Sequence, residues 1–230
     1  MNIRKTIWVV SLVLSMSCFL SACTPETAPT QTGAAPELPV LKIGVNIIRP
    51  FFYTNENGHY TGIDAEIATE ACRRAGYQPD FIENTWRERD TYLKNKTVDC
   101  LWSAFIKDGR EKLYQWSDPY LQSNLRIIVG MRNPEQDVTT FKGESGVAVH
   151  ADSKIEELLL ENPCERPSIS IYSCGTFEMA ETAFVKGYVS ALGGHELVLR
   201  EVIHNYPGQY RFLDGSSLFA KTTPRNIVKK

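Results

Sequence analysis

Short apolar runs alternate with helical patterns along most of this 230-residue chain, and this alternation is the feature that most constrains its fold. The alternation occurs once between about residues 41 and 131 and again after Gly143. Strands that alternate with helices are typical of parallel sheets, because two parallel strands need a crossover connection between them. The sequence therefore predicts an α/β fold with two lobes, and the extended stretch 124–131 is expected to cross between them.

Turn and cap residues support this prediction. Residues 62–76 have apolar positions at helical spacing, with Asp64 suited to the helix N-terminus and Gly76 to its C-terminal end. Asn57-Gly58 is a hairpin signal, and Asp152 or Ser153 is expected to cap a later helix. The other predicted elements are strands at 41–45, 81–82, 98–102, 125–131, 146–149, 169–172, 189–192 and 210–213, and helices at 86–95, 153–161, 177–186 and 196–205.

The first 23 residues lie outside this pattern. A basic start precedes an apolar stretch at 7–20, which is short for a transmembrane span. The stretch ends in the letters LSAC, which resemble a bacterial lipobox, where a peptidase cleaves before a cysteine that carries lipid. We therefore expect a lipoprotein signal peptide at 1–22 and a lipidated, palmitate-bearing Cys23 that anchors the chain to the extracytoplasmic face of the cell membrane, at the cell surface or in the periplasm. An ordinary secretory signal and an N-terminal anchor helix are the alternatives.

Composition constrains the chain beyond this leader. Residues 24–39 are rich in Pro, Thr and Ala and lack aromatics, so 23–39 is expected to be the lipidated cysteine and a flexible tether. The formal charge is −2 without a basic patch, so nucleic acid is not an expected partner. The chain is 43% hydrophobic, enough for a sizeable core in one large domain or two small ones.

Four cysteines lie beyond the lipobox. In an oxidising compartment four cysteines allow three pairings, and Cys164 and Cys174 flank a short segment that would let them pair. Cys72 lies in a helical pattern and Cys100 in an apolar strand, so buried free thiols are the alternative for these two residues. Because there is no CxxC or CxxH spacing, no metal site is expected.

Five short blocks occur in a recognisable order. They are LKIGV at 41–45, YTGID at 60–64, KTVD at 96–99, GRE at 109–111 and WSDPY at 116–120. Each block alone is weak, but the set at this spacing resembles the family 3 extracellular solute-binding proteins of polar amino-acid ABC transporters. The resemblance covers about residues 41–213, and WSDPY is its most specific part.

The resemblance implies a fold and a function. It implies a two-lobed periplasmic-binding-protein-like fold of type II, hinged on crossing strands, with lobe 1 at 40–127 and lobe 2 at 128–213. The protein would capture a small amino-acid-like ligand by hinge closure and deliver it to the membrane subunits of an ABC permease. It implies no enzymatic activity and no cofactor, and we expect a monomer.

In the first lobe, the resemblance gives five candidate ligand-binding residues. Arg110 matches the family's carboxylate-binding arginine, whose guanidinium holds a carboxylate through two hydrogen bonds. Ser103 and Ala104 follow a predicted strand, where open α/β sheets bind ligands. Trp86 is placed as an aromatic wall, and Asn46 lies where relatives often have Asp. The alternatives are an exposed arginine, a serine bonded to nearby backbone and a core tryptophan.

In the second lobe, three further residues are candidates. Ser153 begins a helix whose backbone N–H groups attract a carboxylate. The family's ammonium-binding Asp aligns near His195, so the binding of an ammonium group falls to a neutral His195 or to the neighbouring Glu196 carboxylate. A plain helix start, with Glu in its first turn, is the alternative for both residues.

The end of the sequence departs from the family pattern. Residues 214–230 have no clear period and are expected to form a divergent tail, in place of the strand and helix with which relatives rejoin the first lobe. Three alternative hypotheses stand beside the transport function: a sensory ligand-binding module, a dehydratase-like enzyme on the same fold, and a truncated or decayed binding protein that no longer closes.

Overall fold

The computed structural model describes residues 37–138, 141–142, 145–161, 169–215 and 224–229, the last of these as backbone only. All of its elements lie in one compact unit, residues 38–230. The helices are α1 Ile63–Ala75, α2 Arg89–Lys94, α3 Lys154–Glu161, α4 Phe177–Val185 and α5 Glu196–Asn205, with a 3-10 turn at Trp86–Glu88. The strands are β1 Val40–Val45, β2 Tyr53–Thr54, β3 Tyr60–Thr61, β4 Gln78–Glu83, β5 Cys100–Ile106, β6 Gln115–Trp116, β7 Leu125–Gly130, β8 Val147–His150, β9 Ile171–Cys174, β10 Ala191–His195, β11 Tyr210–Phe212 and β12 Pro224–Lys229.

The first lobe is built on a five-stranded sheet of order β4-β1-β5-β12-β6. β1 runs parallel to β4 and β5, whereas β12 runs antiparallel to β5 and β6. Ile43 and Val45 are fully buried and pack with Phe52 and with Ala68 of α1. Burial of this apolar face stabilises the lobe and fixes the carboxyl end of β1 at its edge.

The second lobe is built on a second five-stranded sheet of order β11-β7-β10-β8-β9. β8 is parallel to β9 and β10, and β7 is antiparallel to β10 and β11. Ile128 and Leu192 are fully buried and pack with Ala180 of α4 and Leu199 of α5. The two sheets confirm the predicted two-lobed α/β architecture.

The chain passes between the two sheets twice, once between β6 and β7 and once between β11 and β12. The first passage lies before Leu125, because β7 pairs along its length with β10 in the second sheet. The extended stretch 124–131 is therefore a strand of the second lobe rather than the crossing segment. Its apolar residues are buried in that lobe's core, which explains the strong strand pattern.

The expected divergent tail contributes a strand to the first lobe. β12 lies between β5 and β6, with Ile227 in register with Leu101 on one side and Trp116 on the other. Sequence periodicity did not predict this strand because Ile227-Val228 is a short apolar pair flanked by basic and polar residues. Residues 216–223 lie outside the described residues.

Helix α1 begins and ends at glycines. Gly76 takes the left-handed conformation at the C-terminal end, as predicted, with φ of 75°. Gly62 precedes the helix with φ of 114°, and a Cβ atom there would lie 2.5 Å from the carbonyl oxygen of Phe51. Only glycine allows the chain to approach the loop after β1 this closely.

Of the four cysteines beyond the lipobox, the structure describes three. Cys72 and Cys100 are buried free thiols, and Cys174 is also a free thiol. Cys164, its proposed disulfide partner, lies outside the described residues, as do the signal peptide and Cys23. Within the described part of the chain, no helix combines the length and apolar character that crossing a membrane requires.

Candidate functional site

A cavity of about 70 Å³ lies between the two lobes. It opens at the carboxyl ends of β1, β8 and β10, as expected for an open α/β sheet. At about 10–15 Å³ for each water, this cavity has room for several waters or a small solute. The lining residues are Asn46, Ile48, Phe51, Trp86, Ser103, Ala104, Phe105, Ile106, Arg110, Leu125, His150, Ser153, Lys154, Ile155, Phe177, Gly193, Gly194 and His195.

Arg110 lies at one end of this cavity with its side chain only 11% exposed. Its Nη2 donates to the backbone oxygen of Asp152 at 3.2 Å and to Oε2 of Glu157 at 2.9 Å. Both acceptors belong to the second lobe, so Arg110 joins the two lobes. A guanidinium has five N–H donors, so these two contacts leave donors for a further anion.

Lys154, in the first turn of α3, lies beside Arg110. Its Nζ donates to Oε1 of Glu157 at 2.5 Å, and its side chain is only 9% exposed. Glu157 therefore places one oxygen on each of two cations. Both cations lower the pKa of Glu157 against the opposing effect of burial, so its carboxylate is ionised at neutral pH.

Trp86 connects the lobes as well as forming a wall. Its ring stacks on Phe105 with centroids 4.6 Å apart, and the guanidinium of Arg89 lies 4.1 Å from its centroid. Its Nε1 donates to the backbone oxygen of Asp152 at 2.6 Å. The Asp152 carbonyl thus accepts hydrogen bonds from both Trp86 and Arg110, which are residues of the opposite lobe.

Two polar groups of β5, the Ser103 hydroxyl and the Ala104 N–H, are hydrogen-bonded within the first lobe. Ser103 Oγ accepts from the backbone N–H of Asn46 at 2.8 Å and donates to its carbonyl at 3.3 Å. The Ala104 N–H donates to the Tyr120 hydroxyl at 3.2 Å. Ala104 has φ of 50°, a strained conformation for a residue with a Cβ, and such strain concentrates at functional sites.

A buried carboxyl supports this strand from behind. The Tyr120 hydroxyl donates to Oδ1 of Asp64 at 2.9 Å, and Asp64 is fully buried. Burial raises the pKa of Asp64 to about 7, although the Tyr120 hydrogen bond opposes the shift. The sequence places Asp64 at the helix N-terminus as a capping residue, but the structure turns its side chain into the core beneath Ala104.

His195 lies at the end of β10 with its ring in the cavity wall. Burial lowers its pKa to about 4, so the imidazole is neutral at pH 7. Its Nδ1 lies 3.3 Å from the Ser123 hydroxyl, and its ring meets Phe51 edge to face at 5.8 Å. A neutral imidazole offers one hydrogen-bond acceptor but no negative charge.

Seven of the eight predicted ligand-binding residues line the cavity, and their binding role stays a prediction. They are Arg110, Ser103, Ala104, Trp86, Asn46, Ser153 and His195. Ser153 also accepts a hydrogen bond from the Glu156 N–H at 3.4 Å, as an N-cap does.

Glu196 does not line the cavity. Its carboxylate accepts from Asn124 Nδ2 at 2.9 Å and from Arg200 one turn along α5. The first-turn position directs this side chain along the helix, away from the cavity.

Two polar residues of the cavity wall, His150 and Lys154, were not predicted from the sequence. Lys154 forms an i,i+3 pair with Glu157, a pattern that usually marks a solvated helix face. The described residues contain no group of three or more His, Cys, Asp or Glu side chains suited to hold a metal ion.

Comparison with known proteins places the chain in a family. The model of the bacterial extracellular solute-binding proteins, family 3, matches residues 41–224. The chain belongs to this family. The match confirms the resemblance and continues past Leu213 to the first residue of β12.

Two curated relatives are similar over part of the chain. The L-cystine-binding protein TcyA of Bacillus subtilis is 32% identical over 110 residues, which are 47% of this chain and 39% of the relative. The histidine-binding periplasmic protein of Escherichia coli K12 is 29% identical over 136 residues, 58% of this chain and 50% of the relative. The matched part of this family 3 chain thus spans half or less of each of these relatives.

A solved structure supports the fold. A mutant of the arginine-binding protein from T. maritima superposes with a TM-score of 0.74, covering 83% of this chain and 82% of that chain, at 21% identity. At this level of identity the likeness shows the fold alone, the two-lobed fold of type II periplasmic binding proteins.

Proposed function

We propose that this family 3 protein captures a small amino-acid-like solute in the cavity between its lobes and delivers it to an ABC permease. The observation that carries the proposal is the position of Arg110, a nearly buried guanidinium that lies at the cavity and has donors to spare. A guanidinium binds a carboxylate well, because two of its N–H groups match the two carboxylate oxygens. The named relatives bind cystine and histidine, which carry this group.

Closure of the two lobes is the proposed mechanism. The chain crosses between the lobes after β6 and again after β11, so the lobes are able to rotate about two connections. Trp86 and Arg110 reach the same carbonyl, that of Asp152, across the cavity. These contacts favour the arrangement that encloses the solute, and the solute adds contacts to both lobes.

The membrane anchor is a second part of the proposal. Cys23 would carry the lipid and residues 24–39 would tether the lobes to the membrane near the permease. Growth of producing cells with labelled palmitate tests this. The wild-type protein should incorporate the label and fractionate with membranes, and Cys23→Ser should do neither; equal labelling of both would remove the anchor from the proposal.

The dehydratase alternative needs a positioned acid or base. His195 is neutral and its Nδ1 lies near a hydroxyl, and Glu196 is bonded to Asn124 and Arg200 outside the cavity. Neither arrangement resembles an acid–base pair aimed at a reacting atom. Binding without turnover is therefore the function we favour.

A thermal-shift screen of the purified protein against the twenty amino acids, small peptides and polyamines tests the proposal. A solute at a hundredfold excess over its dissociation constant stabilises by about 2.7 kcal/mol, which raises the Tm by a few degrees. A stabilising solute that the protein leaves chemically unchanged supports binding. A solute that is converted supports the enzyme instead, and a cooperative melt without any shift across the panel contradicts an amino acid, small peptide or polyamine as the ligand.

A further inference from the structure

We infer, on the basis of the proposed function, that the cavity prefers a small carboxylate that lacks the α-ammonium group, such as a 2-oxo acid, over the corresponding amino acid. The inference concerns the charge of the ligand, and it comes from the charges that face the cavity. It goes beyond what the relatives suggest, because those proteins are named for binding the amino acids cystine and histidine.

The charged side chains in the cavity wall are both cations. Among the described lining residues, Arg110 and Lys154 carry charge and no Asp or Glu is present. Their side chains are only 11% and 9% exposed. Buried charges are costly unless they are paired, so these two cations require anionic partners.

One carboxylate serves both of these cations. Glu157 contacts Arg110 through one oxygen and Lys154 through the other, at 2.9 and 2.5 Å. These three side chains together carry one net positive charge beside the cavity. The carboxylate of Glu111, which lies outside the cavity wall, also interacts electrostatically with Lys154. A ligand carboxylate would balance the positive charge through the donors that Glu157 leaves unused.

The other nearby carboxylates are directed elsewhere. Asp152 pairs with Arg87 at 3.4 Å, and Glu156 accepts from the Asp152 N–H and from Ser173. Neither Asp152 nor Glu156 lines the cavity. In this cavity, among the described residues of the second lobe, no carboxylate is thus placed to receive a ligand ammonium. Asp152, Glu156, Glu157 and Glu161 instead line a neighbouring cavity that shares Arg110 and Ser153.

Several neutral polar groups of the cavity are already hydrogen-bonded, and none of its neutral acceptors, which include Asn46, His150 and Ser153, carries the negative charge of a carboxylate. Ser103 Oγ is bonded on both sides to the Asn46 backbone, and the Ala104 N–H is a donor that is already used. His195 is a neutral ring whose Nδ1 lies beside Ser123. An ammonium has three donors and a full charge, so its desolvation here would be poorly compensated.

The rest of the wall suits an uncharged ligand body. Ile48, Phe51, Ile106, Leu125, Ile155 and Phe177 line the cavity with hydrocarbon. An apolar group attached to the carboxylate would lie against them, away from water. The wall and the cations together describe a hydrophobic monocarboxylate of small size.

Isothermal titration of the purified protein with matched pairs tests the inference. The pairs are pyruvate and alanine, 3-methyl-2-oxobutanoate and valine, and phenylpyruvate and phenylalanine. We expect the oxo acid of at least one pair to bind about tenfold or more tighter than its amino acid, because the oxo acid buries no ammonium. In Lys154→Met that affinity should fall about tenfold or more, since a charge-assisted contact is lost. Lys186→Met, which changes an exposed lysine of the same lobe, should bind as the wild type does.

The outcomes separate this inference from the proposed function. Amino acids that bind as tightly as their oxo acids, or an oxo acid unaffected by Lys154→Met, would overturn the inference and leave solute binding in place. If neither member of any pair binds, and no amino acid stabilises the protein in the thermal-shift screen, both the inference and the proposed function would be overturned.

Discussion

Two buried titratable residues lie one in each lobe, and burial moves their pKa values in opposite directions. It raises that of Asp64 from its usual 3.8 to about 7 and lowers that of His195 from its usual 6.5 to about 4. In both cases burial disfavours the charged form. Since the two effects have opposite signs between pH 4 and 6.5, each is measured best by a variant that removes one group.

Asp64→Asn should change the pH dependence of stability. Between about pH 4 and 7 the folded protein holds a proton on Asp64 that the unfolded chain has released, so this group's contribution falls as pH rises. Asn carries no titrating proton. As pH rises through this window, the unfolding free energy of the variant minus that of the wild type should therefore increase by up to about 1.4 kcal/mol for each pH unit.

Urea unfolding of both proteins at pH 5, 6, 7 and 8 measures this difference. A constant offset, such as one from a weaker bond to Tyr120, shifts all four values equally. A difference that does not change with pH would contradict the raised pKa of Asp64.

At this scale the sequence predicted Arg110 and Ser103 because motifs fix their positions along the chain. It did not predict Lys154 or the bonds of Glu157, since these depend on how α3 meets the loop that holds Arg110. Glu196 and His195 are adjacent in sequence, yet only His195 lines the cavity. Motif alignment locates a residue, whereas the direction of its side chain depends on tertiary packing.

At the scale of elements, β12 has the greatest structural consequence. It fills the position between β5 and β6 in the first sheet, so both neighbours depend on it for backbone hydrogen bonds. β5 also carries Ser103 and Ala104 into the cavity wall. The end of the described chain therefore supports the site although it lies far from it in sequence.

Ile227→Pro should destabilise the protein strongly. Ile227 is in register with Leu101 and with Trp116, and proline removes the N–H of this interior strand position. We expect a loss of at least about 2 kcal/mol in the unfolding free energy, from the missing bond and the steric conflict. Urea unfolding measures it, with Ile227→Val as a control that keeps the N–H. An unchanged midpoint in the proline variant would show that β12 does not pair as described.

The alternation of elements predicted most of the fold, because α1 and α3 to α5 each have an apolar face at helical spacing. The strand β12 was not predicted, since its two central apolar residues are too few to show a period. The passage between the lobes was expected at 124–131, where the strand pattern is strong. The strand pattern is strong there because β7 is buried in the second sheet.

At the scale of the whole molecule, three polar contacts between the lobes converge on Asp152. Asp152 accepts from Trp86 and Arg110 through its carbonyl, while its carboxylate lies 3.4 Å from Arg87. Asp152 has φ of 59°, a left-handed conformation. One residue of the second lobe thus receives three side chains of the first.

Trp86→Phe should shift the lobes toward separation. The variant keeps an aromatic ring against Phe105 but loses the donor to the Asp152 carbonyl. Loss of about 1 kcal/mol would change the proposed equilibrium between joined and separated lobes about fivefold. Small-angle scattering should show a larger radius of gyration. Trp102→Phe, which changes an indole beside Tyr120 in the first lobe, is the control, and equal radii for both variants would contradict the role given to Trp86.

The most direct test of solute binding in this cavity is an isothermal titration of the best solute from the screens into wild type, Arg110→Ala and Arg74→Ala. Arg74 is an exposed arginine on α1, so its variant controls for loss of charge. We predict that one solute binds to each wild-type chain and to each Arg74→Ala chain. In an Arg110→Ala protein that still unfolds cooperatively, the affinity should be lower than in the wild type by about tenfold or more. Undiminished binding by a folded Arg110→Ala protein would contradict the proposed site.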